Sequence, residues 1–348
     1  MSNRLAQRAA AREAEIAGVA EQVLCGLHHS GPLLLVGDGT GTLLPALTTH
    51  GVDVTEWQRH AFTDVAARAV SPWPAEGSFA GAALRLPHGW GAFTMMLHAV
   101  AARLPAGAPL WIYGGNDEGI ATAPKRLDGL FDGGEPILIK RRTRVLALTR
   151  TDAPARGSLD DWREDVILSG DGLLAGPLAL ASWPGLFAHG RLDPGTAHLL
   201  EVLPPLKSAA RVLDFGCGAG VISAEIRRRH PDSALTLLDV DSLALHAART
   251  NLPGAETLLS DGWGTMPRGV RYDLIVSNPP LHRGGLEDFA ALESLVRDTP
   301  NRLRHDGVLM AVIQRTAGAG KLIQAHLPIT ECLLETPQFQ VWRGRTGR

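Results

Sequence analysis

Val212-Leu213-Asp214-Phe215-Gly216-Cys217-Gly218-Ala219-Gly220-Val221 is the stretch whose reading decides the fold class. An apolar run short enough for a buried strand passes straight into glycine at every second position. Val221–His230 then follows with helical spacing. Glycine at Gly216, Gly218 and Gly220 supplies positive φ and lets backbone approach a ligand with no Cβ in the way. The helix N-terminus behind such a turn offers free N–H groups to an anionic group such as a carboxylate. The spacing is G-x-G-x-G, so the pyrophosphate fingerprint G-x-G-x-x-G is not met. Asp214, at the end of the strand, is placed to receive an ammonium or a hydroxyl. Taken alone, the run also fits a tight turn with no ligand, and its neighbours decide against that.

Three of those neighbours carry chemistry. Asp239 closes the apolar run Leu237-Leu238, about 20 residues beyond the glycine loop, where an acidic side chain suits the two hydroxyls of a ribose. Asp241 competes for that role but precedes Ser242, where it reads as a helix cap. Asp261, in Leu259-Ser260-Asp261-Gly262, either accepts from an exocyclic adenine amine or is a turn residue, and both readings stand. The sharpest motif is Asp273-Leu274-Ile275-Val276-Ser277-Asn278-Pro279-Pro280-Leu281-His282, an apolar strand that runs into Asn-Pro-Pro. Successive prolines fix φ and remove two donors, so the turn holds the Asn278 amide oxygen and a backbone carbonyl as fixed acceptors. Two acceptors match the two N–H groups of a planar amine and aim its lone pair at an electrophile.

The rest of the chain extends this pattern in both directions. The second half gives strands at Arg211–Phe215, Leu235–Asp239, Glu256–Leu259, Tyr272–Ser277, Val308–Ile313 and Phe339–Arg343. Helices fall at Val221–His230, Ser242–Asn251, Leu286–Leu303 and Gly318–His326. In the first half, Leu33–Val36, Ala80–Leu86, Pro109–Tyr113, Pro136–Ile139 and Val145–Leu148 read as strands, with helices near 3–27 and at Trp90–Arg103. Strands alternating with helices predict an α/β fold with mainly parallel sheets. The polar, Pro- and Gly-containing stretch 151–158 reads as a linker, which divides the chain into domains at 1–160 and 161–348. Leu33–Gly41 and Val212–Gly220 share the form of an apolar strand and a glycine-rich turn, a weak internal repeat.

Composition agrees with two globular domains. The chain has 348 residues, or about 2.3 domains at 150 each, with 45% hydrophobic and 20% charged residues. Lys and Arg total 34 against 36 Asp and Glu, a net charge of -2, which excludes a globally basic nucleic-acid binder but not local basic patches. Basic runs at Lys140–Arg144, Arg227–His230 and Arg343–Arg348 are phosphate-contact candidates that read equally as solvated faces. Cys25, Cys217 and Cys332 have no metal-ligand or disulfide spacing, which points to a reducing compartment, and no metal is expected. No apolar stretch is long enough to span a membrane and no secretory leader is read, so the expected location is cytoplasmic.

These motifs resemble those of the class I S-adenosylmethionine-dependent methyltransferases that modify planar nitrogens through Asn-Pro-Pro. The likeness is strongest to the RsmC family of bacterial 16S rRNA guanine-N2 methyltransferases. Pro184-Gly185-Leu186-Phe187 with Leu192-Asp193-Pro194-Gly195-Thr196 is similar to that family's lead-in to its catalytic domain, and Phe339–Arg343 to its last strand. The resemblance implies two tandem Rossmann-like class I methyltransferase domains, the N-terminal one degenerate and without cofactor. It implies that Asp214, Gly216, Cys217, Gly218 and Gly220 form the loop against the cofactor's amino-acid moiety. Asp239 would hold the ribose, Asp261 the adenine, and Asn278 with Pro279 and Pro280 the target amine. Leu281 and His282 would meet the substrate, although the family carries an aromatic where Leu281 stands, which reduces stacking on a flipped base. The implied partner is 16S rRNA within the 30S subunit, met by a monomer. The rival readings are methylation of a protein glutamine amide and a cofactor-binding scaffold without turnover.

Overall fold

The structure is a computed structural model describing residues 2–62, 69–170, 172–279, 282–283, 286–287, 290–315 and 319–347. Two compact units divide the chain, one of Gln7–Arg163 and one built chiefly of Glu164–Arg283 and Glu287–Arg348.

In the N-terminal unit, α1 (Ser2–Leu24) precedes β1 (Leu33–Val36), α2 (Leu43–Thr49), β2 (Val54–Trp57), β3 (Gly81–Arg85), α3 (Trp90–Ala101), β4 (Pro109–Gly115), β5 (Phe131–Lys140) and β6 (Thr143–Arg150). The sheet order is β2-β1-β3-β4-β6-β5, with the first four strands parallel and the last two antiparallel. Apolar residues run without a break through β1 because both faces of the sheet are covered. Leu34 and Val36 join the core under α3, while Leu33 and Leu35 meet Ile16, Ala20 and Leu24 of α1.

In the C-terminal unit, the hairpin β7 (Glu164–Leu168) and β8 (Leu178–Ser182) leads to α4 (Pro194–Glu201). There follow β9 (Arg211–Phe215), α5 (Val221–Arg229), β10 (Ala234–Asp239), α6 (Ser242–Asn251), β11 (Glu256–Leu259) and β12 (Tyr272–Ser277). The short pair β13 (His282–Arg283) and β14 (Leu286–Glu287) precedes α7 (Ala290–Arg302), β15 (Leu303–Gln314), α8 (Ala319–His326), β16 (Ile329–Glu335) and β17 (Phe339–Arg345). The seven-stranded sheet runs β11-β10-β9-β12-β15-β17-β16, with β17 alone antiparallel to both its neighbours. Val212 and Val276 face one core and Leu213 and Ile275 the other.

Set strand against strand, the first sheet is the second without β11. β2, β1, β3, β4, β6 and β5 occupy the places of β10, β9, β12, β15, β17 and β16. Beside β2, among the described residues, a parallel bridge from Gln58 to Val70 stands where β11 would pair.

Several expectations shift. The helix expected from Leu286 starts at Ala290, because Leu286 and Glu287 pair with β13, and it ends at Arg302, before Leu303 enters β15. β2, α2, β7, β8, α4 and β16 escape the sequence reading; β2 and β16 lie at sheet edges, where Glu56, Glu331 and Glu335 interrupt their apolar residues. The stretch 151–158 is not a free tether. Ala153 and Ala155 pack on the first core, and Ala153 accepts from Arg150 and Gly157 from Trp73 through their backbone carbonyls.

The β5–β6 turn is unusual. Lys140 pairs with Thr143, which leaves Arg141 and Arg142 as a two-residue turn with φ of 50° and 58°. Left-handed backbone costs an L-residue about 1–2 kcal/mol, so such turns favour Asn-Gly. Here Arg12 pins the turn by donating to both carbonyls, at 2.9 and 3.0 Å.

Candidate active site

The site gathers at the carboxyl ends of β9, β10 and β12, where parallel α/β sheets bind ligands. The glycine loop leaves β9 with Gly216, Gly218 and Gly220 all at positive φ. Gly220 caps α5, and a Cβ there would come within 3.0 Å of Leu252. A Cβ on Gly218 would meet nothing within 4 Å, so the loop borders open space at that point. Gly216 and Cys217 donate their N–H groups to the Leu238 carbonyl, and Asn251 donates to the Ala219 carbonyl at 3.0 Å. Cys217 turns its thiol into the core, and burial pushes that thiol's pKa well up, so only its backbone borders the loop.

Asp214 is fully buried beneath this loop. Its Oδ2 accepts from Ser223 Oγ at 2.7 Å, while Oδ1 has no partner among the described residues. Burial pushes the carboxyl up to about 7, against the lowering effect of Ser223. A buried acceptor without a donor is costly unless a ligand completes it. Asp239 sits one strand over. Its Oδ2 accepts from the Gly218 N–H at 2.8 Å and its Oδ1 from the Asp241 N–H at 2.9 Å, each with lone-pair capacity left. Burial first, then the neighbouring Asp241, raise Asp239 to about 6. Asp241 is the N-cap of α6, accepting from the Leu243 N–H at 2.9 Å. Asp261 lies exposed in the turn after β11, with Gly262 at φ 58° behind it.

Asn278 and buried Pro279 follow β12, and Ser277 ties that strand end to β9 by donating to the Phe215 carbonyl at 2.7 Å. Asn278 Nδ2 donates to Asp193 Oδ2 at 2.8 Å and to Thr196 Oγ1 at 3.0 Å. Its Oδ1 receives no donor from a described residue. Pro280 and Leu281 lie outside the described residues, and His282 begins β13. The structure thus brings Asp214, Gly216, Cys217, Gly218, Gly220, Asp239 and Asn278 to three adjacent strand ends. Sequence reading passed over Asp193, Thr196 and Ser223 as functional positions. The available signal was Asp193-Pro194-Gly195-Thr196, a helix start with cap and proline in order.

The N-terminal sheet shows what happens when these acceptors are absent. Aligning the glycine that follows each central strand puts Leu35 at the place of Asp214; the strand registers then put Gln58 at Asp239 and Arg85 at Asn278. Arg85 is bound by Glu118 at 2.6 and 2.8 Å and by Glu13 at 2.8 and 3.2 Å. Gln58 spends its amide N–H groups on the Asp38 carbonyl and Glu56.

A seven-stranded sheet in which β17 alone is reversed, a glycine loop and a buried carboxylate oxygen without a partner among the described residues together mark a methyltransferase fold of the class I type. Residues 177–343 match the family model described as methyltransferase small domain. The chain is 36% identical over 329 residues to the ribosomal RNA small subunit methyltransferase C of Pseudomonas fluorescens, covering 91% of this chain and 95% of that protein. It is 37% identical over 278 residues to the protein of the same name from Stutzerimonas stutzeri, covering 79% and 81%. The fold also matches that of the T. thermophilus 16S rRNA N2 G1207 methyltransferase (RsmC) in complex with AdoMet and guanosine, with a TM-score of 0.80 at 23% identity over 96% of this chain and 92% of that one. The chain belongs to the ribosomal RNA small subunit methyltransferase C family. Its cofactor is S-adenosylmethionine, and the unpaired Asp214 Oδ1 and the open space at Gly218 fit that molecule's ammonium group and its close approach to backbone.

Proposed function

We propose that the C-terminal unit methylates the exocyclic N2 amine of a guanine in small-subunit rRNA, the amine being held by Asn278 and Pro279. The observation that carries this reading is the Asn278 amide. Its NH₂ end is occupied by Asp193 and Thr196, and its oxygen receives no donor among the described residues. S-adenosylmethionine supplies a methyl group on a cationic sulfur, an electrophile whose transfer needs no prior deprotonation of the amine. Asp214 and the N-terminus of α5 receive the amino-acid end, Asp239 the ribose and Asp261 the adenine. Asn278 Oδ1 and the Pro279 carbonyl accept the two N–H groups and direct the lone pair of the nitrogen at the methyl carbon. As that nitrogen gains positive charge the same oxygens stabilise it, and its proton then leaves to water.

The N2 amine faces the minor groove, so the base leaves any helix before it reaches Asn278. Contact with the extruded base is assigned to Leu281 and His282, and the stiffness of the turn to Pro280, on the sequence motif alone, and a monomer working on 30S subunits in the cytoplasm completes the reading. Asn278→Ala should lower kcat by roughly a hundredfold or more while changing the cofactor Kd by less than about twofold. The assay follows labelled methyl into 16S rRNA, 30S subunits and, separately, a glutamine-containing protein fraction. Undiminished turnover by the variant, or label in protein alone, would sink the proposal.

A further inference from the structure

An asparagine serves as an acceptor in only one of its two amide orientations. Turned by 180°, Asn278 would point N–H groups at the N–H groups of the substrate amine, and the cradle would repel what it should hold. Size does not select the orientation, since carboxamide oxygen and nitrogen are nearly alike, and among the described residues Asn278 and Pro279 of the turn supply no partner that would. The selection comes from α4, on a part of the chain 85 residues away. Asp193 Oδ2 receives Asn278 Nδ2 at 2.8 Å and Thr196 Oγ1 receives it at 3.0 Å. An ionised carboxylate has no proton to donate, so it excludes the amide oxygen from that side. The hydroxyl alone would not, because it can donate as well as accept.

Asp193 is itself held. As the N-cap of α4, with φ −66° and ψ 135°, its Oδ2 also accepts the Thr196 N–H at 2.8 Å. Thr196 is buried, at 6% exposure. Gly195 keeps space for the arrangement, because a Cβ there would stand 3.0 Å from the same oxygen and 3.2 Å from the Phe339 ring. One helix start thus caps itself and fixes a catalytic amide with a single oxygen.

We infer that Asp193, with Thr196, is the positioning element that turns the Asn278 oxygen toward the target amine. The inference rests on the role given to Asn278 above, and its test separates the two. Asp193→Ser retains the capping ability, but its hydroxyl can donate to the Asn278 oxygen as well as accept from the Asn278 amide, so both orientations become populated. The expected result is a fall in kcat of roughly 10–100-fold, with KM for 16S rRNA or 30S subunits and the cofactor Kd each within about twofold of wild type. Thr196→Ser should keep near-normal turnover where Thr196→Val loses it. Adding Asp193→Ser to Asn278→Ala should cost nothing further, because the residue acts through Asn278 alone. Full turnover by Asp193→Ser while Asn278→Ala is inactive would overturn the positioning role alone. A loss explained by a weaker cofactor Kd would also overturn it. Full turnover by Asn278→Ala would remove the amine cradle, and the positioning role with it.

Discussion

Asp214 and Asp239 are carboxylates on adjacent strands whose environments favour the protonated form. Burial carries Asp214 to about 7 and Asp239 to about 6, from an ordinary value of 3.8. An acid whose pKa rises on folding stabilises the fold while protonated, so this contribution is present below about pH 4 and lost as pH climbs through 6 to 7. Cofactor binding reverses the preference, since an ammonium group and hydroxyl donors favour the ionised acids. The cofactor Kd should therefore tighten with rising pH, by about tenfold per unit below about pH 7 and little above it. Calorimetry from pH 5.5 to 8.5 measures this; a flat profile, or one unchanged in Asp214→Asn, contradicts it. That Asp241 caps a helix while Asp239 closes a strand was legible in the sequence, since Asp239 ends an apolar run while Asp241 precedes a helix. The partnership of Asp193 with Asn278 was not, because local spacing explains Asp193 fully as a helix cap and says nothing of a contact 85 residues away.

Elements whose residues are buried on both faces were the easiest to read. β9, β10 and β12 are nearly unbroken apolar runs ending at a glycine, an aspartate and an asparagine. β2 and β16 were lost because charged residues break their apolar runs, Glu56 in β2 and Glu331 with Glu335 in β16. The basic runs also divide at this scale. In α5, Arg229 is spent on Glu225 and on the carbonyls of Leu173 and Leu200, and Arg228 on Glu225 and the Gly176 carbonyl, so that run serves structure. Arg141 and Arg142 are exposed and form no ion pair among the described residues. Replacing both, Arg141→Asn with Arg142→Gly, supplies the residues that left-handed backbone prefers. The expected gain is about 1–2 kcal/mol, raising the Tm of the N-terminal transition by a few degrees. A lower Tm would show that the arginine side chains themselves hold the turn.

For the whole molecule, two sheets of matching strand order differ at the positions proposed to hold ligands. With Leu35, Gln58 and Arg85 where the second sheet has Asp214, Asp239 and Asn278, the first lacks the carboxylates and the free amide oxygen. Titration calorimetry should accordingly give one cofactor per chain, and Asp239→Ala should abolish that binding without exposing a second, weaker site. A stoichiometry of two would contradict the reading. The net charge of -2 fits an RNA-modifying enzyme once charges are seen as locally paired, as in the Arg85 cluster, or left exposed, as at the β5–β6 turn. The position of β17 between β15 and β16 also bears on how the protein is made. The first sheet has all its strands once Arg150 has been synthesised, but the second stays open between β15 and β16 until Arg345. At roughly 5–20 residues per second, that delay is on the order of 10–40 s. During that time the growing chain carries a finished N-terminal unit beside an unfinished catalytic one. Methyl transfer thus becomes possible only once β17 has been made, and nascent chains stalled before Phe339 should show a protease-resistant first unit and a cleavable second.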